Sequence, residues 1–295
     1  MIPCRASAVV VRWRGGDEVD RCLRSLLRHR GRDLERVVLV DSGSADGGAE
    51  RLAAAFPDVE VVALDSNRSF AFAANQGAAR SDSPCLLLLN PDAEVTDGAV
   101  DALTGALAKR PDDAGVVPLL VGADGVPQHG WQLRRLPGPL RLATGRGGAS
   151  QFHGRPPTEP APVEQPAAAA WLVRRAVWDA LGGLDDAFAP AWWEDVDFCA
   201  RLRRIGRETG PPATGFWVVP SARVAHGGGS SLSHLADAEF LAAYHRNLLR
   251  YAERHHPSCF TAIRAILLLS LRGRAMLRPS RRAAYLAATR VISDR

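Results

Sequence analysis

Residues 1–120 alternate fully apolar runs with segments of helical spacing, and this alternation constrains the fold more than any other feature of the chain. Ala6–Trp13 is an apolar, Val-rich run, and Asp17–His29 places Val19, Cys22, Leu23, Leu26 and Leu27 on one helical face. Arg36–Val40, Val59–Leu64, Cys85–Leu89 and Gly115–Leu120 read as further strands. Ala45–Phe56, stopped by Pro57, then Phe70–Arg80 and Gly98–Arg110 read as the helices between them. Strands that are apolar throughout, each followed by a helix, predict an α/β fold with a mostly parallel, Rossmann-like sheet flanked by helices.

Beyond residue 120 the pattern changes. Gly138–Pro166 is rich in Gly, Pro, Arg and Gln without a clear period and is expected to be a mobile loop. Ala167–Val173 and Gly215–Val219 read as strands, and Arg175–Leu181, Glu194–Ile205 and Leu235–His255 as helices. Phe260–Arg274 and Arg281–Ile292 read as two basic amphipathic helices, which divides the chain into a body, 1–256, and a basic helical tail, 257–295.

Composition limits the class. With 295 residues, 46% of them hydrophobic and 23% charged, the chain can bury a large core and is neither disordered nor fibrous. No run approaches the roughly 18 apolar residues of a membrane span. Charges at Arg5, Arg12 and Arg14 do not fit a secretory leader, so the expected location is the cytoplasm. The five cysteines are scattered and form no CxxC pair, so neither a zinc site nor a disulfide framework is expected. From Arg246 to Arg295 there are 11 arginines against Glu253 and Asp294, while the body is mildly acidic overall. Such a tail suits an anionic partner: a membrane surface, against which it would lie peripherally on the inner face, or nucleic acid, or it is a packing helix with a solvated face. The scarcity of aromatic residues for base stacking argues against nucleic acid.

Open parallel sheets bind ligands beyond the carboxyl ends of their strands. The second strand ends in Asp41-Ser42-Gly43-Ser44-Ala45-Asp46-Gly47 and the fourth in Asn90-Pro91-Asp92, which brings carboxylates to one sheet edge. Asp41 also suits a simple turn or helix cap. The first strand is followed by Arg12-Trp13-Arg14-Gly15-Gly16-Asp17 rather than GxGxxG, which argues against a dinucleotide dehydrogenase. Trp192-Trp193-Glu194-Asp195-Val196-Asp197 sets three carboxylates at a helix start behind two tryptophans. The helix dipole accounts for one or two acids there. A carboxylate beside apolar rings can also have the raised pKa that a general base needs. His226 precedes Gly227-Gly228-Gly229-Ser230-Ser231 and is either structural or a contact to metal or phosphate.

The order of these segments resembles the family 2 inverting glycosyltransferases of GT-A fold, most of all their rhamnosyltransferase-like branch. The matching segments are VVLVDSGSADGG (Val37–Gly48), NRSFAFAANQG (Asn67–Gly77), LLLLNPDAEV (Leu86–Val95), LVRRAVWDALGGLDDAF (Leu172–Phe188), WWEDVDFCARLRRIG (Trp192–Gly206), PSARVAH (Pro220–His226) and YHRN (Tyr244–Asn247). The resemblance implies a nucleotide-binding half over 1–120 and an acceptor-side half over 121–256. It implies that Asp41, with Ser42, receives the nucleotide base, that Asn67, Asn75 and Asn90 help hold the donor, and that Trp13 stacks on it. Asp92 stands where the family's metal-binding motif ends, and with His226 would hold Mg2+ or Mn2+ against the diphosphate. Asp195 matches the catalytic base, with Glu194 beside it, and Trp192, Trp193 and Asp197 fall on the acceptor side.

The implied reaction is a single displacement. The base takes the proton of an acceptor hydroxyl, which attacks the anomeric carbon as the nucleoside diphosphate leaves. The donors it implies are dTDP or UDP sugars, dTDP-rhamnose first, and the acceptor is a glycan, a lipid-linked glycan or a small molecule, as in cell wall polysaccharide biosynthesis. Arg12–Gly15, Ser69 and Ala168 depart from the family's usual residues and point to a divergent substrate. The alternative is a degenerate, non-catalytic sugar-nucleotide-binding partner protein.

Overall fold

The computed structural model describes residues 4–209, 215–228 and 236–293. Gly229, Ser230, Ser231 and Leu235, which entered the sequence expectations, lie outside them.

The first half alternates as expected: β1 (Ala6–Arg12), α1 (Asp17–Arg28), β2 (Leu34–Asp41), α2 (Gly48–Ala55), β3 (Glu60–Ala63), α3 (Phe70–Ala78), β4 (Cys85–Leu89), β5 (Ala93–Val95), α4 (Ala99–Ala108) and β6 (Gly115–Val121). Shorter pieces follow: α5 (His129–Gln132), β7 (Leu133–Arg134), α6 (Pro139–Ala143), β8 (Ala161–Val163), β9 (Gln165–Pro166), β10 (Ala170–Arg174) and α7 (Arg175–Leu181). The chain then runs through α8 (Glu194–Thr209), β11 (Phe216–His226), α9 (Asp237–His255), α10 (Phe260–Leu277) and α11 (Arg282–Ser293).

The main sheet has the order β3-β2-β1-β4-β10-β6-β11-β5, with β8 also on β11. Parallel pairing holds for β1 with β2 and β4, β2 with β3, and β6 with β11. β10 enters between β4 and β6 antiparallel to both. Its run Ala170–Val173 is buried throughout, like its parallel neighbours, so apolarity alone does not reveal its direction. β11 passes the expected end at Val219 and continues to His226, with a register shift between Val219 and Arg223. Pro220 has no N–H for the ladder, and strands accommodate such a residue at an irregularity.

The two sheet faces bury alternate residues. Val10, Leu39 and Leu87 pack with α1, α2 and α4, and Val9, Val40 and Leu88 with α3, α7 and α8. A third cluster is helical. Ile263, Leu267, Leu271 and Ala275 of α10 and Tyr285, Ala288 and Ile292 of α11 join Leu248, Leu249 and Tyr251 of α9, together with Trp193 and Leu142. The tail helices thus share a core with α9.

Two expectations change. Gly138–Pro166 is not one structureless loop but carries α6, β8 and β9, pieces too short to show a period. Cys4 and Cys85 form a disulfide, because parallel pairing of Ala6 with Cys85 brings together residues 81 apart in the chain. Among the described residues no helix is long and apolar enough to cross a membrane.

α3 lies against the sheet through Gly77, where an added Cβ would stand 2.4 Å from Val9 Cγ1 and 2.9 Å from Val40 Cγ2. Gly77→Ala is therefore expected to destabilise the fold by about 1–3 kcal/mol through overpacking, measured by denaturant unfolding.

Candidate active site

Three groups of functional side chains collect at strand ends and one helix start. In the first, register pairs Arg12 with Asp41 at the ends of β1 and β2. Arg12 is fully buried, and its guanidinium donates to Asp41 Oδ2 and, at 2.6 Å, to Asp46 Oδ2. This bond is the main cause holding the Asp46 carboxyl below its ordinary range. Asp41 Oδ1 accepts from the Ser44 N–H at 2.8 Å, so Asp41 also makes the turn contact that its sequence allowed. Ser42 Oγ donates to Asn67 Oδ1 at 3.0 Å. Gly43 takes φ +66°, and a Cβ there would strike the Ser66 backbone at 2.4 Å, so this loop closes only with glycine. The half-buried Trp13 has the Arg14 guanidinium 5.0 Å from its ring centroid.

Asn75 does not join this group. Its amide donates to Leu184 O at 2.7 Å and accepts from Leu184 N at 3.1 Å, so both of its ends are used to anchor the chain after α7.

The second group lies where β5 pairs with β11. Ala93 faces His226 in register, and Gly227 N donates to Asp92 O at 2.9 Å. Asn90, at the end of β4, donates its N–H to Ala169 O at 2.9 Å. Asp92 and His226 are both buried, with Oδ1 and Nε2 3.5 Å apart. Gln128 fixes the imidazole. Its Nε2 donates to the His226 carbonyl at 3.0 Å, and its Oε1 lies 2.9 Å from Nδ1. A backbone carbonyl can only accept, so the other end of the amide is the oxygen and Nδ1 carries the proton. The Nε2 lone pair then faces Asp92. Trp131 stacks on the ring at 5.2 Å, and burial pushes the His226 pKa down against the opposing pull of Asp92. Gln128 and Trp131 were not expected from the sequence; Gln128 follows a tight turn and belongs to no motif.

The third group is the start of α8. Trp192 and Trp193 have φ of 69° and 81°, left-handed values that are strained for large residues. The Asn247 amide holds that turn by donating to Ala189 O, Ala191 O and Trp192 O at 3.0–3.3 Å. Asp195 Oδ2 accepts from Arg134 Nη2 at 3.0 Å, Gln165 Nε2 at 3.2 Å and Ala168 N at 3.4 Å. Arg134 and Gln165 face one another in the two-stranded ribbon β7–β9, so the ribbon delivers both to one oxygen. Glu194 is buried with Oε2 unpartnered, and burial first, then the charge of Asp195, pushes its pKa up. Of the two adjacent carboxyls, Glu194 is thus the one held neutral.

Two residues expected on the acceptor side are engaged by side chains of the fold itself. Asp197 is fully buried and accepts from Arg201 at 2.6 Å, His255 at 2.8 Å and Arg254 at 3.0 Å, because it points into the α8–α9 contact. Trp193 packs on Tyr244 and Tyr251 at 5.5 and 5.3 Å. Trp192 is half-buried, edge-on to Phe240 at 4.6 Å.

A mixed sheet with carboxylates at its strand ends and an acid pair at a helix start is the arrangement of a GT-A glycosyltransferase. The sequence profile of Glycosyl transferase family 2 matches residues 7–162, more than half of the chain, and the protein belongs to that family. It is 27% identical to an N-acetylglucosaminyl-diphospho-decaprenol L-rhamnosyltransferase of Mycobacterium tuberculosis, over 92% of this chain and 90% of that one. In fold it is similar to GalNAc-T7 solved with UDP, GalNAc and Mn2+ (TM-score 0.64, 18% identity), covering 86% of this chain and about half, 51%, of that one. It is also similar to S. aureus TarS 1-349 (TM-score 0.56, 13% identity, 98% and 80% covered).

Two outcomes follow from this geometry. Nitrogen NMR is expected to show His226 with its proton on Nδ1, and Gln128→Leu to lose that preference. For Glu194, the folded pKa lies above the unfolded one, so native stability falls as pH rises between the two values. Glu194→Gln removes that loss, so its stability relative to wild type should rise from acid to neutral pH in thermal melts.

Proposed function

We propose that this glycosyltransferase transfers L-rhamnose from dTDP-rhamnose to a hydroxyl of a lipid-linked glycan, with inversion. The observation that carries the chemistry is Asp195, a carboxylate set by Arg134 and Gln165 beside the neutral Glu194. The choice of donor and acceptor rests on the mycobacterial relative, whose named activity is rhamnosyl transfer to a decaprenol-linked sugar.

In the proposed mechanism the Asp195 carboxylate takes the proton of the acceptor hydroxyl, whose oxygen attacks the anomeric carbon as the bond to the nucleoside diphosphate breaks. Arg134 and Gln165, by holding Oδ2, keep that carboxylate oriented, so little reorganisation accompanies the transfer. Glu194, held neutral, adds no second negative charge beside the base. Asp92 and His226 would hold a divalent cation. An imidazole lone pair and a carboxylate oxygen 3.5 Å apart suit Mg2+ or Mn2+, and a neutral imidazole is the form that ligates. Among the described residues no group of three or more His, Cys, Asp or Glu side chains is arranged for a metal, so the diphosphate would complete the set. Such an ion supplies charge neutralisation for the departing diphosphate. The base would meet the loop held by Arg12, Asp41 and Ser42.

The ion pair between Arg12 and Asp41 supports one rival, since Asp41 is already engaged: a nucleotide-binding partner protein without turnover. Purified protein should give a metal-dependent thermal shift with dTDP or dTDP-rhamnose and turn over the sugar. Asp195→Asn should reduce kcat about 10²–10⁴-fold while nucleotide binding persists. Binding with no turnover in wild type would favour the rival, and no binding of any nucleotide sugar would remove both.

A further inference from the structure

Among the described residues the outer face of α10 has no counterpart. Its inner face, Ile263, Leu267, Leu271 and Ala275, is buried in the helical core. The opposite stripe, Ile266, Leu269 and Met276, recurs at helical spacing and is exposed to 47%, 68% and 81%, and Leu277 beside it to 83%. Large exposed apolar side chains are few among the described residues, and five of them, with Leu286, lie on α10 and α11.

The charges on the described residues of α10, the turn and α11 are all of one sign. The sequence from Arg254 to Ser293 contains eight arginines and no acidic residue. Arg254, Arg264, Arg274 and Arg281 are used inside the fold, on Asp185 and Asp197, the carbonyls of Ile292 and Ser293, Thr144 O, and Asp237 respectively. Arg272, Arg278, Arg282 and Arg290 are exposed, and no described carboxylate lies within ion-pair distance of them. Apolar side chains fringed by unpaired arginines complement a surface that offers hydrocarbon at depth and negative charge at its rim.

We propose that the exposed face of α10, with the α10–α11 turn, docks on an anionic lipid surface. Leu269, Met276 and Leu277 enter the acyl boundary and Arg272, Arg278 and Arg282 meet the lipid phosphates. The inner face of α10 shares its core with Trp193 and abuts α6, so docking brings the half that carries Asp195 toward the membrane. The proposal stands independently of the donor and acceptor assigned above.

Co-sedimentation of the full chain with phosphatidylglycerol-containing vesicles tests it, with phosphatidylcholine vesicles alone as the comparison. Binding to the anionic vesicles is expected, weakening with added salt. Arg272→Glu and Arg278→Glu should each weaken it about fivefold or more. Leu269→Gln with Met276→Gln and Leu277→Gln should abolish it while the melting temperature is kept, since all three side chains lie outside the core. No vesicle binding, or binding that these variants leave unchanged, overturns the proposal. So does a wild-type dimer that the glutamine variant converts to monomer, or a duplex oligonucleotide bound more tightly than the vesicles.

Discussion

The start of α8 depends on one buried carboxylate, Asp197. It receives Arg201 from its own helix and Arg254 and His255 from α9. Burial works against its charge, yet the His255 and arginine contacts outweigh that and hold its pKa down. Removing one partner from a buried ion pair typically costs about 3–5 kcal/mol, since the charge left behind is uncompensated. Asp197 thereby locks α8 to α9. Two residues earlier α8 presents Asp195, and the strained tryptophan turn before it is held by Asn247 of the same α9. The position of the proposed base is thus set by α9, and α9 by the tail helices that share its core.

The sheet edge is organised differently. Strand register places Arg12 beside Asp41 and Ala93 beside His226, and loop closure by Gly43 does the rest. Sheet geometry therefore sets one side of the site and helix packing the other, and α8 joins the two, with Phe198 in a sheet-face cluster and Val196 in the helical one.

Much of the first half was legible because strands buried on both faces must be apolar at every position, which Cys85–Leu89 and Gly115–Val121 display. The direction of β10 was not, since the same rule governs parallel and antiparallel central strands. The motif residues were visible, but not which way each side chain turns. Asn75 and Asp197 sit in motifs like their neighbours, and their polar atoms are taken by Leu184 and α9. Gln128, Arg134 and Gln165 left no pattern, because each acts through strands or turns of a few residues. A two-residue strand has no periodicity, and its pairing partner lies some thirty residues away.

That ribbon has a further meaning. Arg134 and Gln165 reach Asp195 from the two ends of a long excursion, 135–164, that leaves the ribbon and returns to it. Closing a loop costs only about 0.6 kcal/mol more for each doubling of its length. Segments can be inserted into the irregular part of that excursion, 153–160, at small thermodynamic expense while α6 stays in the helical core, β8 stays on β11 and the two ribbon residues stay opposite one another. The wall beside the base is thus open to remodelling by changes in length, with the orientation of the base itself preserved.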